Sequence, residues 1–504
     1  MRGEQKRATK YFNRWKGVVN RSARNALPND AWYYLENMQP IGDGNNVPVA
    51  NISSMLVDFG ASLVYASTYI NILGTDYLIT VTTDGKAFAY NIGSNTNTQI
   101  ATGLSGAGTR IAQWKNQQAL FIDSTGYFHW DGTTYAAITG TGVPTAGTDI
   151  AVAFGRVWIV NGRLLSFSGA DMYDATAWTV ANGSGAQALT DPTLRNAVTR
   201  LLAANGYLYI VGPSSVAVIS DVYVPSGANP PTPLYSNLSV QSIIGSDQPF
   251  SFFAFNRMVM FANRYGAWAM SGVQAQRISE DIDNTWKYVD FNQQISAGQV
   301  VSNNILCAAF LIKRLNDPVF GSNQVLAMYS DEKWWFANYG TVSFIVSAIA
   351  GNIPSIFGFI TNKLYKLFSD YTTAPATTSM TPLWAMDDPL SDKEIIRAGF
   401  EATVRKYSGT FQMNIDTVNS SSVAIPNVNL GSVQLINNFK QPVSLINNYG
   451  AYVQLFSGTY LLYNSDAPGT FQKFVGATIK SSGCIYQLSA IYMDYKLRAR
   501  WTGG

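Results

Sequence analysis

The chain has 504 residues, 13% of them charged and 13% aromatic, with a formal net charge of +3 and a single histidine. A charge so near neutrality over this length excludes a general affinity for nucleic acid. One histidine and two distant cysteines (Cys307 and Cys484) exclude a His-rich metal cluster and any readable disulfide framework. The low charge with abundant Gly, Asn, Ser and Thr between apolar runs suits a β-rich protein with many tight turns, part of whose surface is covered by other subunits. No signal peptide is expected from the basic N-terminus, and no apolar run approaches the roughly 20 residues of a membrane span.

The first 28 residues stand apart. They hold Arg2, Lys6, Arg7, Lys10, Arg14, Lys16, Arg21 and Arg24 against one acid, Glu4. Tyr11, Phe12, Trp15, Val18 and Val19 follow a helical spacing, which Gly17 and the Val18-Val19 pair weaken. A short helix continuing into an extended arm is expected over residues 1–45. Its large aromatics and its charges together suit docking on a neighbouring surface, with Arg7, Tyr11, Phe12, Arg14, Trp15, Arg21 and Arg24 as the contact residues.

From about residue 50 one unit recurs: an apolar strand, a polar turn, then a second strand rich in aromatic or small residues. It begins at Tyr77 (YLITVTTDGKAFAYN), Ala119 (ALFIDSTGYFHWDG), Arg156 (RVWIVNGRLLSFSG), Tyr207 (YLYIVGPSSVAVISD), Met258 (MVMFANRYGAWAMSG), Ile305 (ILCAAFLIKR, continued by VLAMYSDEKWWFA) and Ser355 (SIFGFITNKLYKLFSD). A loose period of about 40–50 residues with four short strands per period predicts a β-propeller of six or seven blades over 46–390. The proline-rich 224–237 reads as a surface insertion. A set of β-sandwiches is the alternative source of such strand density.

The pattern changes at 371–394, a Thr/Pro-rich stretch that reads as a linker. Beyond it, IIRAGFEATVRKYSGTFQMNIDTV reads as two long strands around Ser408-Gly409. KFVGATIKSSGCIYQLSAIYMDYKLRARW reads as another pair turning at Ser481-Ser482-Gly483. Residues 391–504 are expected as a β-sandwich-like unit, or as the strands that close the ring. The fold class is therefore all-β.

No catalytic constellation stands out. There is no Walker loop, GxSxG elbow or HExxH, and no turn fits the SxDxGxTW pattern of sialidase propellers. His129, between Phe128 and Trp130, reads as the side of a hairpin. Asp84, Asp123, Asp131 and Asp370 read as turn caps. Asp387-Asp388 and Glu280-Asp281-Asp283 read as solvated loop acids. Trp334-Trp335 could stack a sugar, but reads first as two faces of one strand. No enzyme activity, cofactor or metal is expected.

Two stretches carry a family resemblance: FNRWKGVVNRSARNALPNDAWYYLENMQPIGDGN (12–45) and VGATIKSSGCIYQLSAIYMDYKLRARW (475–501). The first resembles the opening, and the second the closing pattern, of the nozzle (lower tail tube) proteins of short-tailed bacteriophages, also described as packaged-DNA stabilisation proteins. No distinct insertion corresponding to a tube tip is identified. The resemblance implies a homo-oligomeric ring, a hexamer, in the phage tail of the virion, synthesised in the host cytoplasm. It would sit below an adaptor protein, beside tail fibre or spike proteins, retaining packaged double-stranded DNA and conducting it without sequence-specific contacts. A carbohydrate-binding propeller at the host surface is the alternative, and a secreted glycosidase a more distant one.

Overall fold

The computed structural model describes residues 7–190, 194, 196–239, 244–406, 409–417, 421–430, 435–436, 442–443 and 459–498. Seven four-stranded antiparallel blades form a ring. Their innermost strands are Val64–Ile72, Arg110–Trp114, Asp149–Ala153, Arg200–Ala204, Phe253–Phe255, Ser296–Ser302 and Val342–Ala350. Each of the seven recurring sequence units supplies the second and third strands of one blade, except that in blade 6 the continuation supplies the third and fourth. The fold class is an all-β, seven-bladed propeller with a second β unit.

Alternation of side chains across each strand places apolar residues on both faces of a blade. The cores consequently lie between blades rather than within them. Ile79, Val81 and Phe121 join blades 1 and 2, Leu120, Ile122 and Val157 join 2 and 3, and Trp158, Leu165 and Ile210 join 3 and 4. Val211, Val218 and Phe261 fill the seam between 4 and 5, and Leu78, Tyr90 and Phe357 that between 7 and 1. The remaining seams merge into one large core that extends into the second unit.

Inner strands turn into second strands through two-residue loops in six blades, at Leu73-Gly74, Phe154-Gly155, Asn205-Gly206, Asn256-Arg257, Asn303-Asn304 and Gly351-Asn352. Both loop residues have positive φ in every case, as a type I′ turn requires. These turns occupy one rim of the ring, so the inner strands all begin at the opposite rim.

The ring is closed by Val57–Asp58, which pairs with Lys363–Lys366 as the fourth strand of blade 7. Leu56 and Phe59 donate their backbone N–H groups to Leu364 and Asn362 on either side of that pair. Closure thus comes from before the first blade, and the strands beyond 391 do not supply it.

Those strands build a two-sheet sandwich with the N-terminal segment. One sheet runs Met38–Ile41, Asn45–Pro48, Ile485–Arg498, Asp392–Lys406, Thr459–Gln472, with Arg7–Phe12 also paired to Ile485–Arg498. The other continues outward from the last strand of blade 6, Lys333–Ala337, through Tyr34–Glu36, Thr377–Met380, Val475–Ser482, Gly409–Thr417 and Ser421–Leu430. Phe400 of the first sheet stacks on Phe411 of the second at 5.4 Å, and Tyr486 meets Phe411 edge-on at 4.5 Å.

Several expectations are corrected. Residues 7–45 form no α-helix and no free arm; the chain enters as the strand Arg7–Phe12, runs as an irregular, partly buried ribbon with one short 3-10 turn at Arg24–Ala26, and then joins the sheets. Residues 371–390 are no linker, since Thr377–Met380 is a sheet strand and Trp384 is buried against Phe12. The two strand pairs expected after 391 exist as strands, but in each the members lie in opposite sheets. The ring strands lie within 57–366, so the second unit takes residues from both ends of the expected 46–390 propeller.

Ring closure by so short a strand makes its flanking aromatic decisive. Phe59 is buried between Phe88 and Phe359, with ring centroids at 5.3 and 5.8 Å. Phe59→Ala is expected to lower unfolding stability by about 3–5 kcal/mol, read by denaturant titration. An unchanged midpoint would show that closure does not depend on this packing.

Candidate docking surface

Of the seven residues expected to contact a partner, Arg7, Tyr11 and Phe12 lie on the strand Arg7–Phe12, Arg14, Trp15 and Arg21 on the ribbon after it, and Arg24 opens a short 3-10 turn. Alternation sends Arg7, Thr9 and Tyr11 to the exposed side and turns Phe12 inward. Phe12 stacks on Trp384 with centroids 3.5 Å apart and planes 7° from parallel. Trp15 stacks on Trp32 at 4.2 Å and is fully buried. Gly17 explains why the chain can approach so closely here. A Cβ on it would stand 2.8 Å from both the N and O atoms of Trp334, and Val18 donates its N–H to that same carbonyl at 2.7 Å.

The basic side chains are also largely engaged within the chain. Arg7 pairs with Asp494, whose other oxygen accepts from Thr9. Lys10 reaches Asp387 at 2.7 Å, Lys16 reaches Asp30 at 2.9 Å, and Arg21 reaches Asp281 at 3.5 Å. Arg24 is the most enclosed: its Nη2 meets Asp416 at 2.6 Å and its Nε donates to the Thr381 carbonyl at 2.7 Å. Phe12 and Trp15 are therefore core residues and cannot serve as anchors for a partner, and Arg24, half-buried, is held by Asp416 and Thr381. Arg14 is exposed, and Tyr11 retains 45% of its surface. The side chains of the segment that keep outward-facing surface are Arg7 and Tyr11, on a strand whose only paired neighbour among the described residues is Ile485–Arg498, and Arg14 just beyond it.

A cleft of about 520 Å³ lies behind this segment, lined by Arg24, Tyr34, Glu36, Phe320, Asn323, Asp416 and Lys480 among others. Both of its carboxylates are occupied. Glu36 accepts from the Tyr34 hydroxyl, and Asp416 accepts from Arg24 and from Thr478 at 2.5 Å. Burial, then the neighbouring Glu36, pushes the Tyr34 hydroxyl far up, so it stays a protonated donor.

The residues weighed for chemistry fall into structural roles. His129 sits across from Leu120 and Ala136 in blade 2, half-buried, with Nδ1 3.0 Å from Gln118. Trp334 and Trp335 are both buried, the first donating to the Ile278 carbonyl at 2.8 Å, so neither offers a face to a sugar. Asp387 is held by Lys10 and Tyr495, Asp283 by Arg277, and Asp388 caps Leu390. Cys307 and Cys484 are buried free thiols, pushed by burial up to about 12 and about 11. Among the described residues no group of three or more His, Cys, Asp or Glu is placed to hold a metal, and no helix is long and apolar enough to cross a membrane.

Three of the four turn aspartates cap backbone N–H groups of their turns, whereas Asp84 accepts from the side chains of Ser62, Thr82 and Lys86. Asp131 takes the N–H groups of Thr133 and Thr134. Asp370 takes Thr372 and Thr373, whose hydrogen bonds pull it down to about 2. Asp123 is completely buried and accepts from the Ser105 N–H, the Thr109 hydroxyl, and both the N–H and hydroxyl of Thr125. Burial alone would raise its carboxyl, but these four donors outweigh it and the group ends below its ordinary value.

No family model and no curated protein matches the chain. Among solved structures it is similar to YCF48 bound to D1 peptide, at 11% identity and a TM-score of 0.36, over 63% of this chain and 96% of that one. It is likewise similar to the Cps50 (Swd1) beta-propeller domain of Myceliophteria thermophila, at 10% identity and a TM-score of 0.36, over 63% and 99%. The RRP9 WD40 repeats match at 9% identity and a TM-score of 0.37, over 64% and 99%.

Two outcomes are expected from this geometry. Gly17→Val forces the ribbon off Trp334, and deletion of residues 1–28 also strips Phe12, Trp15 and Val18 from the core. Each should lower the thermal midpoint of the whole chain; deletion that leaves it unchanged would restore the free-arm picture. Asp123 has a depressed carboxyl, so its stabilisation is present above the unfolded value near 4 and is lost as pH falls through the folded value. Asp123→Asn should be less stable at pH 7 and lose less stability between pH 5 and pH 2, read by denaturant midpoints across that range.

Proposed function

We propose that the chain is a non-enzymatic structural protein of a short-tailed phage virion, forming the ring of the lower tail tube. The observation that carries this reading is the meeting of the two stretches similar to that family. The segments within 12–45 and 475–498 fold into the same two-sheet unit, where Phe12 pairs with Ile491 and Asn45 accepts a hydrogen bond from Gln487 at 2.7 Å. The two motif-bearing ends of a resemblance that spans nearly the whole chain in layout thereby belong to one piece of structure. The engaged state of the basic N-terminal residues supports the same reading. A conduit serves best when phosphate contacts are few, because each adds affinity and drag on moving DNA.

On this reading the contacts are with copies of the chain, with an adaptor ring above, and with fibre or spike proteins. Native mass measurement and electron microscopy of the purified chain, alone and with an adaptor ring from a short-tailed phage, test it. The expected result is a closed ring of six copies, formed alone or on the adaptor. A monomer under both conditions that binds glycans would overturn it in favour of a carbohydrate-binding propeller.

A further inference from the structure

The axis of the propeller holds a cavity of about 280 Å³ near the rim where the inner strands begin. Three consecutive inner strands open on a charged residue: Arg110 in blade 2, Asp149 in blade 3 and Arg200 in blade 4. Both arginines line the cavity. Asp149, fully buried, accepts the Leu201 N–H at 2.5 Å on one oxygen and Arg200 Nη1 at 3.3 Å on the other. That second oxygen lies 3.9 Å from Arg110 Nε, too far for a hydrogen bond. Two guanidinium groups thus share one carboxylate.

Arg110 is held in place rather than free to swing into solvent. Its Nη1 donates to the Tyr65 hydroxyl at 2.9 Å and to the Thr109 carbonyl at 3.3 Å, and its Cζ lies 4.5 Å from the Phe250 ring centre. It is 8% exposed, and its Nε is buried with no hydrogen-bond partner. The Nε of Arg200 is buried and unpartnered in the same way. The other nearby acid, Asp123, is already saturated by Ser105, Thr109 and Thr125. Four of the cavity hydroxyls are engaged too: Ser67 with Thr80, Tyr69 with Asp76, Thr109 with Asp123, and Ser347 with Gln299. Asp149 supplies one negative charge against two guanidinium groups, and both Nε donors stay buried without a hydrogen-bond partner; that state is costly unless a further acceptor meets them, and a guanidinium is shaped to take two oxygens at once.

We propose that this axial cavity binds a small oxyanion, a phosphate or a compact carboxylate, between Arg110 and Arg200. Its volume leaves room for the anion with accompanying water. The site is independent of the ring assembly proposed above, since every residue comes from one chain.

The test is calorimetry and thermal unfolding of the full chain with inorganic phosphate, with malonate, and with chloride at matched ionic strength. Saturable binding of phosphate or malonate, with a midpoint that rises with its concentration and that chloride does not reproduce, is the expected result; the two anions separate phosphate from carboxylate preference. Arg200→Gln should weaken binding at least tenfold, and Arg200→Lys, which keeps the charge but loses the fork, by a smaller factor. No saturable binding at millimolar anion, equal stabilisation by chloride, or undiminished affinity in Arg200→Gln would each overturn the proposal. Should Arg200→Gln fail to fold, the Lys variant and competition between phosphate and malonate on the unsubstituted chain still decide it: both at full affinity without mutual displacement means no such site.

Discussion

The outer edge of blade 6 is the junction on which the rest of the molecule depends. Tyr34–Glu36 lies parallel to Lys333–Ala337, joined through Glu36 and Phe336, and carries the blade's sheet out into the second unit. Tyr34 stacks on Phe320 at 3.8 Å and on Phe336 at 5.2 Å, and Arg314, wholly buried beneath these rings, donates to the Tyr34 hydroxyl at 3.1 Å. A buried guanidinium is tolerated here because aromatic faces, Asn323 and Asp317 surround it. Among the described residues every other blade ends in an outer strand with no further neighbour, whereas this one is extended by five strands. The edge that would otherwise be open to pairing with another chain is used to attach a second body.

That junction explains the odd composition of the N-terminal segment. Phe12, Trp15, Val18 and Val19 have the spacing of a helix face, yet no helix forms. An irregular ribbon wedged between blade 6 and the sandwich meets apolar surface on more than one side, so large residues recur without a secondary-structure period. Gly17 sits where the ribbon touches the Trp334 backbone, which is why it interrupts the apparent helix. The charges follow the same logic. Arg21 and Arg24 meet acids more than 250 residues away, Asp281 and Asp416, pairings no local pattern discloses.

The blades themselves were legible because their central strands combine a continuous apolar run with a nearby Gly, Asn or Asp turn. The inner strands escaped for the opposite reason. Phe253–Phe255 and Arg200–Ala204 are short, and their I′ turns mix Asn-Arg and Asn-Gly, so only some carry the glycine that marks a hairpin. Ring closure through Val57–Asp58 rests on two residues paired with a strand some three hundred positions later. The turn aspartates were readable from their local Thr and Ser partners. The docking residues were not: strand alternation sends Arg7 and Tyr11 out and Phe12 in only once the strand is known, and beyond it the irregular ribbon that exposes Arg14 and buries Trp15 has no period to read.

The burial of the aromatic anchors changes what a ring of these chains would have to use. Interfaces are usually dominated by a few desolvated aromatic and arginine side chains, and here those of the N-terminal segment are already spent inside the protomer. What it still presents is the outward side of the strand Arg7–Phe12, whose only paired neighbour among the described residues is Ile485–Arg498, with Arg7, Tyr11 and Arg14 at its surface. Backbone pairing along such a strand gives affinity with little dependence on sequence, and the bordering side chains set register. A ring built this way would hold its neighbours through the sandwich and leave the propellers as outlying bodies. Its contacts would also be only weakly electrostatic, because five of the basic residues in that segment are neutralised within their own chain. Ring assembly on that model tolerates salt, while attachment by a free basic arm would dissolve as ionic strength rises.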